Sequence, residues 1–135
     1  MPESKTSKKR ILVVDDSPSI TEFLRVKLEA TGAYEVRTEQ RGDAALQAAR
    51  LFAPHLILLD IMMPGTDMDG GDVLAALRED PRLASIPIVF LTATVKKEET
   101  QGDSGMTISG WPVLAKPVNM QEVLAHIEKF LGKPG

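Results

Sequence analysis

Hydrophobic and polar positions follow two different periods along this chain. Short apolar runs are separated by longer stretches in which apolar residues recur every three or four positions. The short runs predict β-strands, and the longer stretches predict amphipathic helices. This alternation is typical of βαβ units, so it predicts an α/β fold with a parallel sheet. The predicted strands are Arg10–Val14, Tyr34–Thr38, Leu56–Leu59, Ile86–Leu91 and Trp111–Ala115.

Caps and breakers mark the predicted helices. Ser17 is suited to cap the first helix, with Pro18 at its first position, and Asn119 is suited to cap the last. The second and third helices are predicted at Asp43–Phe52 and Asp72–Arg78. The residues expected to pack inward are Ile20, Phe23, Leu24 and Leu28, then Ala45, Leu46, Ala49 and Leu51, then Val73, Leu74 and Leu77, and finally Met120, Val123, Leu124, Ile127, Phe130 and Leu131.

Two stretches interrupt the alternation. Gly65–Gly71 is rich in Gly and Asp, and we expect a loop there. Lys96–Gly110 stands where a fourth helix should complete the alternation, but it holds three glycines, which weaken a helix. Only a short helix near Val95–Gln101 is expected. The hypothesis for residues 96–110 is a segment that orders on binding a partner, which hydrogen exchange would test.

The composition fits one domain and excludes several classes of function. The 135 residues carry 16 basic and 19 acidic side chains, a net charge of −3. Residues 1–10 hold four of the basic and one of the acidic side chains, so the rest, with 12 and 18, carries −6 and is unsuited to nucleic acid. Without cysteines, disulfides and thiolate zinc sites are excluded, and a cytoplasmic location is compatible. No apolar run approaches the roughly 18 residues that span a membrane.

Polar side chains stand at the C-terminal ends of the predicted strands. Asp15 and Asp16 follow the first strand, Asp60 the third, Thr92 the fourth, and Lys116 the last. In an open parallel sheet these ends form the edge where ligands bind. Three crowded carboxylates favour a hard divalent cation such as magnesium, and a hydroxyl and an ammonium suit the oxygens of a phosphoryl group.

Other residues bear on this site. His55 and His126 do not lie at C-terminal strand ends, which disfavours zinc. Pro117 is a candidate for a cis peptide that would aim the preceding lysine. Taken singly, each polar residue has an ordinary interpretation: the aspartates as helix caps, the threonine as a turn residue and the lysine as a surface residue. Their joint placement favours the functional interpretation.

As a set, these motifs resemble the receiver domains of two-component response regulators. The motifs are Asp15-Asp16, Asp60 with Met63-Pro64-Gly65, Thr92-Ala93 and Lys116-Pro117. The resemblance covers roughly residues 9–131, flanked by an expected flexible basic tail at 1–8 and a C-terminal tail at 132–135. It implies a flavodoxin-like, doubly wound, five-stranded parallel sheet of order 2-1-3-4-5 with five helices, the fourth short or irregular.

The resemblance also implies roles for these residues. Asp60 would accept a phosphoryl group from a histidine kinase or phosphotransfer protein, and Asp15, Asp16, Asp60 and the backbone carbonyl of Met62 would hold Mg²⁺. The phosphoryl oxygens would contact the residues Thr92, Ala93 and Lys116. The implied protein is a cytoplasmic, bacterial, stand-alone regulator of the chemotaxis kind, a monomer or weak dimer. It would be a signalling switch with limited self-phosphorylation and self-dephosphorylation rather than an enzyme.

Three departures from the family pattern stand out. The run from Met63 to Gly71 is about two residues longer than usual, with an added acid. Val113 occupies the switch position three residues before the lysine, where the family often has an aromatic. Residues 96–110 cover the family's fourth helix. We also expect slow self-hydrolysis, because Met62, which with Thr94 lies where the family tunes water access, cannot position water as an amide could.

Two other classes of function remain open at this point. An atypical receiver could act as a phosphorylation-independent protein-binding module, which the altered switch position favours and the complete acidic set opposes. A metal-dependent phosphotransferase acting on small molecules ranks last. Asp60 has no second carboxylate two residues on, and the chain has no Gly-x-x-x-x-Gly-Lys loop.

Overall fold

A six-stranded sheet forms the centre of the molecule. The structure is a computed structural model that describes residues 8–63, 68–92 and 107–132. The strand order is β2-β1-β3-β4-β6-β5, with every neighbouring pair parallel except the last. The strands are β1 (Lys9–Val14), β2 (Tyr34–Glu39), β3 (Leu56–Asp60), β4 (Ile88–Thr92), β5 (Thr107–Ile108) and β6 (Trp111–Ala115).

Helices cover both faces of the sheet, so the predicted doubly wound α/β fold is confirmed. Within the described ranges they are α1 (Pro18–Ala30), α2 (Gly42–Phe52), α3 (Gly70–Glu79) and α4 (Met120–Leu131). One hydrophobic core joins α2 and α3 to one face, and a second core joins α1 and α4 to the other. The apolar stripe of α4 is core, as expected, with Val123 and Ile127 fully buried. No helix in these ranges is long and apolar enough to cross a membrane.

The described part of the chain holds one strand more than the five that were predicted. The five parallel strands have the expected order, but β5 adds an antiparallel sixth strand at the edge. Ser109 and Gly110 both have positive φ, 54° and 88°, as a two-residue hairpin turn requires. The end of the stretch predicted to be weakly helical therefore forms a hairpin. The rest of that prediction, including the short helix near Val95–Gln101, lies outside the described residues.

The predicted start of α3 was two residues too late. The helix begins at Gly70 rather than Asp72, so the predicted loop ends at Asp69. Asp69 accepts a hydrogen bond from the Asp72 N–H at 3.0 Å, and Asp72 accepts one from the Asp69 N–H at 3.2 Å. This reciprocal capping box satisfies two backbone donors that the helix cannot satisfy itself. It compensates for the two glycines that make the first turn a poor helix by composition.

Two residues expected in the core are exposed. Leu51 is 71% exposed because α2 turns its alanines, at positions 45, 48 and 49, towards the sheet. Phe23 is 42% exposed, and the Lys27 ammonium lies 5.8 Å from the centre of its ring. The strand β4 also begins at Ile88 rather than Ile86, since Pro87 has no N–H to donate to the ladder.

Candidate functional site

Three carboxylates meet at the C-terminal edge of the sheet. Asp15 directly follows β1, and Asp60 is the last residue of β3, which is paired in parallel with β1. One carboxylate oxygen from each of Asp15, Asp16 and Asp60 lies within 4.8 Å of the other two. Asp15 and Asp60 are buried, and Asp16 is partly exposed. The three carboxylates predicted to hold a cation therefore form one acidic cluster, of which Asp16 is the most exposed member.

The ammonium group of Lys116 lies within this acidic cluster. Its Nζ is 2.6 Å from Oδ2 of Asp15 and 3.4 Å from Oδ1 of Asp60, and its side chain is 14% exposed. Oδ2 of Asp15 is buried, so its short contact with the ammonium is shielded from solvent. Among the described residues, one positive charge thus faces three carboxylates, which leaves the cluster with an excess of negative charge.

The excess charge changes the protonation of the central carboxylate. Burial, and then the nearby charge of Asp15, raise the pKa of Asp60 to about 6, although Lys116 acts in the opposite direction. Burial alone would lower the pKa of Lys116, but its contacts with Asp15 and Asp60 raise it instead. The lysine therefore stays positively charged at neutral pH. A cation bound here would remove the cost of ionising Asp60.

Backbone hydrogen bonds hold the two acidic strand ends in place. Oδ1 of Asp15 accepts from the Ser17 N–H at 2.9 Å, and Ser17 in turn caps α1. After Asp60, the Ile61 carbonyl accepts from the Gly70 N–H at 2.8 Å. A Cβ atom on Gly70 would lie 2.5 Å from the Asp60 carbonyl oxygen and 2.9 Å from Ile61 Cα. The first turn of α3 is thus packed directly against the backbone of Asp60, at a distance that only glycine permits.

Neither this packing nor the cap of α3 was predicted from the sequence. The pattern Asp69-Gly70-Gly71-Asp72 contains two carboxylates three residues apart before an apolar helix, which is the spacing of a capping box. That pattern was the available signal. No comparable signal exists for the close approach of Gly70 to the backbone of β3, because it depends on how the helix docks on the sheet.

Thr92, Lys116 and Met62 lie at or near the same edge. Thr92 ends β4 beside β3 and is fully buried, and its carbonyl accepts from the Lys116 N–H at 2.8 Å. The Lys116–Pro117 peptide bond is cis. Met62 follows Asp60 by two residues and is 52% exposed. The predicted residues Ala93 and Thr94 lie outside the described ranges.

The switch position is part of the core. Val113 is 7% exposed and pairs with Phe90 across β4 and β6. The nearby aromatic, Trp111, packs edge-on against Phe130 of α4 with ring centres 5.7 Å apart. Neither side chain belongs to the acidic cluster.

The two histidines are remote from the acidic cluster, as predicted. His55 precedes β3, and its Nδ1 accepts a hydrogen bond from the Arg10 N–H at 2.9 Å. His126 lies on α4, with its Nδ1 2.9 Å from the Glu122 carbonyl oxygen. In the part of the chain that the structure describes, the site therefore consists of oxygen donors and one ammonium. This donor set fits a hard cation such as Mg²⁺ and not Zn²⁺.

Comparisons with known proteins agree with this geometry. The sequence matches the response regulator receiver domain family over residues 11–128. The DNA-binding transcriptional regulator RpaA of Synechocystis sp. is 37% identical over 124 residues, which are 90% of this chain and 48% of RpaA. The chain thus spans about half the length of this regulator, as it does of the related regulators MtrA and PhoP.

Solved structures show the same fold. The chemotaxis protein CheY4 of Vibrio cholerae aligns with a TM-score of 0.76 and 30% identity, covering 92% of this chain and 99% of CheY4. The receiver domain of the sensor histidine kinase PA1611 from Pseudomonas aeruginosa, solved with magnesium in its active site cleft, aligns with a TM-score of 0.74 and 26% identity, covering 93% and 99%. From its sequence match, its fold and the residues at its sheet edge, the chain belongs to the response regulator receiver domain family.

Proposed function

We propose that this receiver domain is a phosphorylation-dependent switch in which Asp60 is the phosphoryl acceptor. The observation that carries the proposal is the position of Asp60, buried at the end of β3 within a cluster of three carboxylates and 3.4 Å from the Lys116 ammonium. The proposed donor is a histidine kinase or a phosphotransfer protein. In the transfer, an Asp60 oxygen bonds to phosphorus while the phosphorus–nitrogen bond of the donor's phosphohistidine breaks, leaving a neutral imidazole after proton uptake.

The protonation of the site suits this reaction. A nucleophilic carboxylate must be ionised, and a pKa of about 6 leaves Asp60 mostly ionised at neutral pH. Lys116 lies close enough to follow a new negative charge on Asp60, because it is already held between Asp15 and Asp60. We assign to Lys116 and Thr92 the binding of the phosphoryl oxygens.

The proposed cofactor is Mg²⁺, held by Asp15, Asp16, Asp60 and the backbone carbonyl of Met62. When bound, it supplies charge neutralisation between the carboxylates and the incoming phosphoryl group. The crowding of three carboxylates and the raised pKa of Asp60 both support a cation at this position. The magnesium in the PA1611 receiver domain supports it by likeness.

The first experiment treats the protein with acetyl phosphate, with and without magnesium, and records the intact mass. One magnesium-dependent phosphoryl adduct is expected. Asp60→Asn should abolish the adduct, while Asp43→Asn, which removes an exposed carboxylate on α2, should retain it. An adduct that persists in Asp60→Asn would refute the assignment of the acceptor. The half-life of the adduct then tests the expectation of slow self-hydrolysis.

A second candidate function is a binding module that signals without phosphorylation. The observation that favours it is Val113, a buried aliphatic side chain at the position where an aromatic would rotate. If a folded, magnesium-binding protein forms no adduct, this second candidate replaces the first.

A further inference from the structure

A cavity of about 200 Å³ opens at the sheet edge opposite the acidic cluster. Its walls come from the end of α2, the connection into β3 and the turn before β4, so it is built from the N-terminal side of the strands. Its lining consists of apolar residues and two arginines. The residues that carry the argument are Ala49, Arg50, Pro54, Arg82, Leu83 and Ile86.

One carboxylate holds both arginines of this cavity. Oδ2 of Asp80 accepts from Arg50 Nε at 3.4 Å, and its two oxygens accept from Arg82 Nε and Nη2, each at 3.3 Å. These distances exceed the roughly 2.7–2.9 Å of strong charge-assisted hydrogen bonds. The two terminal nitrogens of Arg50 have no partner within the described ranges, and the arginine side chains are 47% and 76% exposed. Both guanidinium groups are thus oriented and still have donors available.

Positive charge extends beyond these two arginines. Arg10 donates its Nε to the carbonyl of Ala53 at 2.9 Å, beside the Pro54 that lines the cavity. Burial, followed by the charges of Arg10 and Lys9, lowers the pKa of His55. This edge is therefore basic, although the chain beyond residue 10 carries a net charge of −6.

We propose that this cavity binds an acidic peptide segment of a partner protein. One aliphatic side chain of the segment enters the cavity beside Leu83 and Ile86, and an adjacent carboxylate pairs with Arg50 and Arg82. The volume is below the roughly 300–1,000 Å³ of pockets for whole small molecules, which favours a single side chain. Planar guanidinium groups recognise carboxylates through paired hydrogen bonds. The proposal does not depend on phosphorylation of Asp60, which lies at the other edge of the sheet.

The test uses a fluorescent, terminally blocked peptide of sequence Asp-Glu-Leu-Glu-Asp and the full chain. Arg50→Gln and Arg82→Gln are the test variants, and both sites are exposed enough for the fold to persist. Arg37→Gln is the matched control, because Arg37 is 44% exposed and pairs with a carboxylate on β2. Loss of one charge-assisted bond should weaken binding about fivefold or more in each test variant and leave the control unchanged. The methyl NMR signals of Leu83 and Ile86 should shift on titration.

Several outcomes would overturn the proposal. Equal binding of a peptide with alanine in place of leucine, or with lysine in place of the acids, would show that the cavity or the charge plays no part. Unmoved methyl signals would place the peptide elsewhere. Displacement of the peptide by inorganic phosphate at equal concentration would indicate a small-anion site. Self-association lost in Arg82→Gln would make a second copy of the chain the occupant.

Discussion

The ionised side chain of Asp60 should destabilise the metal-free protein. The pKa of Asp60 is raised from 3.8 to about 6 by burial and by the charge of Asp15. Each unit by which the pKa of Asp60 differs between the folded and the unfolded chain corresponds to about 1.4 kcal/mol. Ionised Asp60 therefore lowers the free energy of unfolding by about 3 kcal/mol. The stability that comes with neutral Asp60 is fully present below pH 4 and is lost as the pH rises through 6.

Asp60→Asn removes this cost without changing the size of the side chain. The variant loses the ion pair between Lys116 and Asp60, which is the longer one at 3.4 Å. It keeps the ion pair between Lys116 and Asp15, at 2.6 Å. In EDTA at pH 8 the variant should be about 3 kcal/mol more stable than the parent, or about 10 °C higher in Tm. At pH 4 the two should be equal, because Asp60 is then neutral.

Calorimetry and urea unfolding at both pH values measure the difference. Glu35→Gln, an equivalent change at an exposed position of β2, is the control and should have little effect at either pH. Excess magnesium should stabilise the parent more than Asp60→Asn, since a ligand stabilises the form that binds it. The reasoning fails if Asp60→Asn is less stable than the parent at pH 8, or if its gain is the same at pH 4.

Three further predictions concern stability. Gly70→Ala should lower the free energy of unfolding in urea by about 2 kcal/mol, since its Cβ would lie 2.5 Å from the Asp60 carbonyl oxygen. The control, Gly71→Ala, has room for a Cβ and should be neutral or stabilising, so equal effects of the two changes would contradict this reasoning. Lys116→Met should lower the free energy of unfolding by about 3 kcal/mol in EDTA, because two buried carboxylates lose their counter-charge. Magnesium should restore most of this stability, and a loss of stability that does not depend on magnesium would count against the pairing. Tyr34→Phe removes a buried hydroxyl with no partner in the described ranges, so its Tm should stay equal or rise, and a clear fall would reveal a hydrogen bond.

Much of the fold could be predicted from the sequence, because strands buried on both faces of a parallel sheet are continuous apolar runs. The apolar runs ending at Val14 and Leu59 are long enough to identify β1 and β3, and Asn119 marks the start of α4. The two-residue strand β5 was missed because its pairing with β6 depends on a turn and not on its own composition. The exposure of Leu51 was not predicted because a helix rich in alanine has more than one apolar face. Packing against the sheet determines which of these faces of α2 is buried.

The membership of the acidic cluster was predictable, and its internal contacts were not. Parallel topology brings strand ends to one edge, so Asp15, Asp60 and Thr92 had to be near each other. The choice of Asp15 as the nearer partner of Lys116 depends on side-chain rotamers that only the packed structure defines. The left-handed backbone conformation of Ala53, with φ of 52°, could not be predicted either, because a residue before proline is expected to be extended.

The wide spacing of the site residues along the chain makes the assembly of the site depend on folding. Ile11 pairs with Leu56 where β1 joins β3, and this pairing closes a loop that contains α1, β2 and α2. Such distant pairings make folding slow, because the loop must close before the contact is gained. Asp15, Asp60 and Lys116 come together only when the last strand has joined the sheet. A nascent or partly unfolded chain in which β6 has not joined the sheet therefore lacks the assembled cluster of Asp15, Asp60 and Lys116, and under the proposed function it would be unable to accept a phosphoryl group.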